Sequence, residues 1–133
     1  MSLNYIMIGT NDMARARRYY DAVMPHLGGS LEAEYGDQAC CFRFSDGGRV
    51  WVARPHDQQP ASPGNGMMSG FLCASEAAVD AAHAAALANG GSNEGDPGPR
   101  PMYGPEFYGA YARDPDGNKM SFIFLRRIDT KSQ

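Results

Sequence analysis

The sequence predicts an α+β protein in which two βαβββ modules form a cupped mixed β-sheet, a half-open barrel with the helices outside. The first observation is a repeated opening, in which a strand-like segment leads into an amphipathic helix that ends at a glycine pair. The second is that three further strand-like segments follow each helix. The third is an Asp-Gly turn before the last strand of each half, which indicates a tight hairpin. Equivalent features recur at offsets of 63, 62 and 70 positions: Asp12 and Ser75 as caps, Gly28 and Gly90 in the glycine pairs, Asp46 and Asp116 in the turns.

Module 1 covers about residues 3–54. Its helix carries apolar residues at alternating spacings of three and four, which is typical of one buried helical face. That stripe consists of Met13, Ala16, Tyr20, Val23 and Leu27. Asn11-Asp12 offers a cap, and Gly28-Gly29 ends the helix because glycine accepts the left-handed conformation. The predicted strands are 5–10, 30–35, 39–45 and 49–54.

Module 2 covers about residues 67–126 and repeats this order. Ser75 caps the helix and Gly90-Gly91 ends it. The apolar stripe of this helix consists of Val79, Ala82, Ala86 and Leu87. The predicted strands are 67–74, 92–95, 106–113 and 118–125.

The two modules are expected to form a single domain, residues 1–133, joined by a linker at 55–66 and followed by a short tail at 127–133. The linker is rich in Pro, Gly, Gln and Ser. Two repeats are too few for a solenoid, so two sheets related by a pseudo-twofold axis are the simplest closure. The alternative is a ferredoxin-like sandwich, which needs fewer strands in each half.

Composition excludes several classes of function. A net charge of −3 with no long basic run argues against nucleic-acid binding. No apolar stretch approaches the roughly 20 residues of a membrane span, and the first residues lack the basic start of a signal peptide. Three cysteines without a C-x-x-C spacing are typical of buried thiols in a reducing cytoplasm. We therefore expect a cytoplasmic protein.

Several segments resemble a known family. The opening strand and helix are similar to that family's "S-D-x-x-x-S-x-x-F-Y" pattern, and the second half ends in an Asp-Pro-Asp-Gly turn followed by a strand. The similar segments are 5–13, 18–21, 89–95, 97–103 and 107–118. On these residues the chain is identified as a member of the vicinal-oxygen-chelate superfamily, which comprises glyoxalases, bleomycin-resistance proteins and dioxygenases.

The resemblance also implies where a metal would be held. Enzymes of this superfamily bind one divalent metal with His and Glu side chains from four strands, two in each module. The matching positions here are Tyr5, Trp51, Met68 and Ser121. Imidazole and carboxylate are the donors that such metals need, so we expect no metal and no cofactor. His26, His56 and His83 are interpreted as solvated surface residues.

Strand alternation then predicts the lining of a cavity. Tyr5, Trp51, Met68 and Ser121 would face inward. On the third strand of module 2 either alternation is arguable, and the resemblance to the family implies that Tyr108 is the aromatic residue of the cavity. The preceding loop would bring Arg100 and Tyr103. Such a cavity would suit a flat or apolar molecule, with Arg100 binding an anionic group. The alternative is that Tyr5, Trp51 and Met68 fill the space that metal and substrate would occupy. Asp114 and Asp116 are interpreted as turn residues.

Three functions are weighed. By analogy with the bleomycin-resistance branch, the first is a metal-free homodimer that binds a small aromatic or hydrophobic molecule. The second is an enzyme without metal that uses Tyr5, Tyr103 or Tyr108 as acid or base. The third is a lyase, isomerase or dioxygenase of the lactoylglutathione-lyase type. Whether the chain is an enzyme is left open, because fold does not determine function.

Overall fold

The computed structural model describes residues 2–126, which form eight strands and two helices. The elements in chain order are β1 (Tyr5–Gly9), α1 (Met13–Val23), β2 (Gly29–Tyr35), β3 (Ala39–Phe44), β4 (Arg49–Ala53), β5 (Ser69–Leu72), α2 (Glu76–Ala88), β6 (Ser92–Pro99), β7 (Phe107–Arg113) and β8 (Lys119–Leu125). Short 3₁₀ turns follow α1 and β6, at Met24–Leu27 and Pro101–Tyr103. The predicted tail at 127–133 lies outside the described residues.

Each module forms its own four-stranded mixed sheet. The strand orders are β1-β4-β3-β2 and β5-β8-β7-β6, with the first pair parallel in both sheets and the other pairs antiparallel. The α+β fold of two βαβββ modules is confirmed.

Helix α1 is shorter than its apolar stripe. Asp12 caps it by accepting a hydrogen bond from the Arg15 backbone amide at 3.0 Å. The α-helix stops at Val23 because Pro25 cannot donate a backbone hydrogen bond, and a 3₁₀ turn carries the chain to Leu27. Gly28 then reverses the chain in the left-handed conformation, at φ 75°. All five stripe residues are nevertheless buried.

Helix α2 buries a slightly different face from the predicted one. Ser75 caps it as expected. Leu87, predicted to be buried, is exposed, whereas His83, interpreted as a surface residue, is only 4% exposed. The Nε2 atom of His83 lies 3.0 Å from Asn93 Oδ1, and this hydrogen bond satisfies a polar group inside the protein.

One face of each sheet packs against the helices and shares a common core. Ile8, Val52, Phe71 and Phe122 contribute to it from the two sheets. The opposite face of each sheet is not covered, and we call it the open face. Alternation along the strands places these residues on it: Tyr5, Met7, Trp51, Leu72, Tyr111 and Ser121.

The turn 114–118 holds module 2 to module 1. Asp114 is buried, and its carboxylate accepts hydrogen bonds from the Tyr20 hydroxyl at 2.5 Å and from the Asp116 and Asn118 backbone amides at 2.9 Å. Asn118 Nδ2 also donates to the Gly9 carbonyl at 2.9 Å. The interpretation of Asp114 as a turn residue is confirmed.

Asp116 binds the other side of the same junction. Its carboxylate accepts hydrogen bonds from Thr10 Oγ1 at 2.6 Å, from the Asn11 backbone amide at 2.9 Å and from Arg15 Nη2 at 2.8 Å. We call this set of contacts, made by Asp114, Asp116 and Asn118 to β1 and α1, the clasp.

Candidate ligand-binding site

The exposed apolar residues of the open face lie along the junction between the two sheets. β1 and β5 are edge strands, each hydrogen-bonded to one neighbouring strand of its own sheet only. Met7 and Leu72 are 59% and 66% exposed, and Tyr5 and Met68 are also exposed. We call the line between β1 and β5 the seam. An exposed apolar surface of this kind is typical of an interaction site.

One end of the seam opens into a cleft of about 410 Å³. Its apolar wall comes from both modules and includes Leu3, Tyr5, Leu27, Phe44, Phe71 and Leu72. The Phe44 and Phe71 rings lie 6.1 Å apart at its base. Cleft volumes of this order are typical of small-molecule sites.

The other end of the seam is closed by the clasp. Two further cavities lie beside it, of about 220 and 490 Å³, and Met67, Met68 and Lys119 line both. Tyr5 lines the cleft at one end, whereas Gly9 lines a cavity at the other. β1 and β5 therefore run in opposite directions along the seam, as a pseudo-twofold axis requires.

The positions that resemblance assigns to metal ligands do not offer a fitting donor set. Tyr5 and Met68 are exposed, and Ser121 is only 1% exposed, beneath the open face. Phenol, indole, thioether and neutral hydroxyl groups are poor partners for a divalent ion that prefers imidazole and carboxylate. Within residues 2–126, no three His, Cys, Asp or Glu side chains are grouped as a metal site would require.

Trp51 is half-buried on β4, between β1 and β3 in the sheet of module 1. Its ring stacks on Tyr35 of β2, with centroids 6.1 Å apart and planes 18° apart. It lies directly across from Met7 on β1 and Cys41 on β3. Since Trp51 is only half-buried and its neighbour Met7 is exposed, these side chains cover the sheet without forming a sealed core.

Tyr108, expected to line the cavity, lies on the face of β7 that packs against α2, not on the open face. Its hydroxyl donates to Asp80 of α2 at 2.7 Å, and Arg126 lies over its ring. It pairs with Phe124, which packs against the core. The aromatic residues of β7 on the open face are Phe107 and Tyr111, and Tyr111 lies directly across from Ser121.

Arg100 is engaged by its own loop. Its Nη1 donates to the Gly98 carbonyl at 3.0 Å and its Nη2 to the Asp96 carbonyl at 2.6 Å. Its guanidinium also lies 5.5 Å from the centroid of Tyr111. Arg100 thus shapes the loop between β6 and β7, and these hydrogen bonds use part of the donor capacity with which it was expected to bind an anion.

Tyr103 is exposed and lies away from the seam. Its ring packs edge-on against Phe107 at 5.4 Å, just before β7. The predicted site residues therefore divide into three groups. Tyr5, Trp51, Met68 and Ser121 lie at or near the open face, Arg100 and Tyr103 lie in the loop beside Tyr111, and Tyr108 lies under α2.

Hairpin geometry could have identified Tyr111 from the sequence. The turn 114–118 places Arg113 across from Lys119 and Tyr111 across from Ser121. Residues directly opposite each other in an antiparallel pair share a face. Since Ser121 was expected to face inward, the same reasoning assigns Tyr111, not Tyr108, to that face.

Comparisons with solved structures show the same architecture. A glyoxalase/bleomycin resistance protein from Albidiferax ferrireducens T118 is 36% identical, with a TM-score of 0.86, and the alignment covers 93% of this chain and 99% of that chain. A glyoxalase/bleomycin resistance protein/dioxygenase family enzyme from Burkholderia phytofirmans PsJN is 16% identical, with a TM-score of 0.71 and coverages of 94% and 99%. A lactoylglutathione lyase from Agrobacterium tumefaciens is 18% identical, with a TM-score of 0.65 and coverages of 92% and 92%. The last two show the fold alone.

No curated protein matches the chain. None of the helices within residues 2–126 has the length and apolar character of a membrane-spanning segment. The family pattern for the Glyoxalase/Bleomycin resistance protein/Dioxygenase superfamily matches residues 2–122, nearly the whole chain. The two βαβββ modules, the turn at 114–118 and this match agree, and the chain belongs to that superfamily.

Proposed function

We propose that this member of the superfamily binds a small aromatic or hydrophobic molecule at the seam, without a metal ion. The observation that carries the proposal is the apolar cleft of about 410 Å³ between Tyr5 and Leu72, continuous with exposed apolar side chains along β1 and β5. Apolar side chains left exposed in a concave site favour an apolar ligand, because binding removes their surface from water.

Binding is better supported than catalysis. The residues at the four ligand positions do not fit the metal on which the superfamily's lyases and dioxygenases depend. A tyrosine acting as a base would need a depressed pKa. Instead, the hydrogen bond to Asp80 and burial raise the pKa of Tyr108, and burial raises the pKa of Tyr111.

The test uses neutral probes and the protein's single tryptophan. N-phenyl-1-naphthylamine and 2-naphthamide are titrated against the protein by calorimetry, and Trp51 emission is followed in parallel. We expect at least one probe to bind with a stoichiometry near one per chain and to change Trp51 emission, because Trp51 is half-buried on the open face.

Matched leucine variants locate the site. Leu72→Gln changes an exposed residue of the cleft, and Leu87→Gln changes an exposed residue of α2. Losing an apolar contact of this size costs about 1 to 2 kcal/mol, so we expect Leu72→Gln to weaken binding by about 5- to 30-fold. Equal affinity in both variants, or no binding of any neutral probe to the unmodified protein, would refute the proposal.

A further inference from the structure

Among residues 2–126, two pairs of cationic side chains lie on the strands of the open face at positions related by the repeat. Arg43 and Arg49 lie opposite each other on β3 and β4, and Arg113 and Lys119 lie opposite each other on β7 and β8. Arg43 corresponds to Arg113 and Arg49 to Lys119, both at the offset of 70 residues that relates the final hairpins. The strands of the two modules therefore carry the same arrangement of positive charge.

A single glutamate neutralises one cation in each module, but not the same one. In module 1, Glu32 binds Arg49 through two hydrogen bonds of 3.0 and 3.1 Å. In module 2, the equivalent Glu94 binds Arg113, the counterpart of Arg43. In both modules the remaining cation, Arg43 or Lys119, has no carboxylate oxygen within 4.0 Å among residues 2–126.

The two remaining cations have different surroundings. Arg43 is exposed to solvent, where an ion pair contributes little. Lys119 is half-buried, lines both cavities at the clasped end of the seam, and its ammonium lies 6.0 Å from the centroid of Tyr111. A partly desolvated charge attracts an anion more strongly than an exposed one, since water screens it less.

The two ends of the seam consequently differ in charge. At the end of the seam with the cleft, Arg49 lines the cleft and Glu32 neutralises its charge. Lys119, its counterpart, lines the cavities at the other end. Four residue steps separate Tyr5 from Gly9, so the seam is about 13 Å long, which is comparable to a fused-ring molecule with one substituent.

We propose that Lys119 determines specificity for a carboxylate on the apolar ligand, so that the ligand class is an aromatic or hydrophobic carboxylic acid. This inference rests on the proposed function. The apolar body of the ligand lies toward Tyr5 and Leu72, and its carboxylate approaches the Lys119 ammonium beside Met68. Binding neutralises the cation that Glu94 leaves unpaired.

The test compares 2-naphthoate with 2-naphthamide, which have the same ring system and differ in charge. Calorimetric titrations use the unmodified protein, Lys119→Met, Lys119→Arg and Arg43→Met, each checked by thermal melting. Arg43→Met is the matched control, because Arg43 is the cation of the module 1 strands that Glu32 leaves without an ion pair. We expect the unmodified protein to bind the carboxylate about tenfold more tightly than the amide at low salt.

The preference should fall below about twofold in Lys119→Met and remain in Lys119→Arg and Arg43→Met. It should also weaken as salt is added. Equal binding of acid and amide by the unmodified protein, or an unchanged preference in Lys119→Met, overturns the role of Lys119 while leaving the proposed function intact. If neither compound binds, the role of Lys119 is wrong, and the proposed function is wrong as well if N-phenyl-1-naphthylamine also fails to bind.

Discussion

Tyr20→Phe tests the clasp with the removal of a single oxygen atom. Tyr20 is fully enclosed, and its hydroxyl donates to the Asp114 carboxylate at 2.5 Å. Phenylalanine keeps the ring and its edge-on contact with Tyr19 at 4.8 Å. The variant therefore loses one hydrogen bond to a buried charged group, which contributes about 1.5 to 3 kcal/mol.

The expected loss is large enough to measure by two methods. For a chain of 133 residues, 1 kcal/mol corresponds to about 4 °C in melting temperature. Tyr20→Phe should therefore melt about 6 to 12 °C lower, with a matching decrease in the urea midpoint at unchanged slope. The control is Tyr19→Phe, because the Tyr19 hydroxyl is also buried but donates to the weak acceptor Met120 Sδ at 3.2 Å. That variant should lose less than about 1 kcal/mol.

The loss should also depend on pH. Burial raises the pKa of Asp114 above its ordinary value of 3.8, and the Tyr20 hydrogen bond opposes this by stabilising the ionised form. Protonation of Asp114 thus contributes stability that is fully present below pH 3.8 and is lost as the pH rises through the raised pKa. Without the hydroxyl, the pKa rises further, so Tyr20→Phe should be most destabilising at neutral pH and less so under acid conditions. Equal losses in both variants, or a loss independent of pH, would refute this account of the clasp.

Three further outcomes are expected. Zn²⁺, Ni²⁺, Mn²⁺ or Fe²⁺ should not raise the melting temperature, since a metal that bound only the folded state would do so; a shift that disappears on changing Tyr5 or Trp51 would show a metal site. The protein should sediment as a homodimer, at twice 14.4 kDa, because uncovered sheet edges favour pairing; a monomer at about 20 µM would contradict this. Burial raises the pKa of the Cys40 and Cys73 thiols to about 11. At pH 8 the folded protein should therefore react slowly with Ellman's reagent, and the urea-unfolded protein should react rapidly. Rapid reaction of the folded protein would contradict the burial of these thiols.

The repeat made most of the fold predictable, because both copies report the same periodicity. The predicted burial of a residue was wrong where its hydropathy and its environment in the folded protein disagree. Leu87 and His83 lie next to each other on the α2 surface, and hydropathy favours burying leucine. The structure buries His83 instead, because Asn93 on β6 supplies a hydrogen-bond partner that the local sequence does not reveal.

The candidate site was less predictable than the fold, for a physical reason. β7 reads Phe-Tyr-Gly-Ala-Tyr-Ala-Arg, with aromatic residues on both faces. Alternation alone therefore cannot assign Tyr108 or Tyr111, whereas their partners across the hairpin can. The ion pairs of the open face also cannot be predicted from the sequence of one strand at a time. They join residues about 17 to 19 positions apart, and which cation each glutamate takes depends on the packed sheet.

The clasp has a consequence for the cleft, because it exists at only one end of the seam. In module 1, Phe44 and Gly48 occupy the positions of Asp114 and Asn118, and among the described residues Asp46 accepts a hydrogen bond only from the Gly48 amide. The hydrogen bonds between the modules are therefore concentrated at the clasped end, whereas the apolar contact of Phe44 with Phe71 joins them at the cleft. Tyr5 and Leu72 line the cleft and take no part in the clasp. Their side chains can therefore vary in size and polarity while the turn at 114–118 keeps its contacts with β1 and α1.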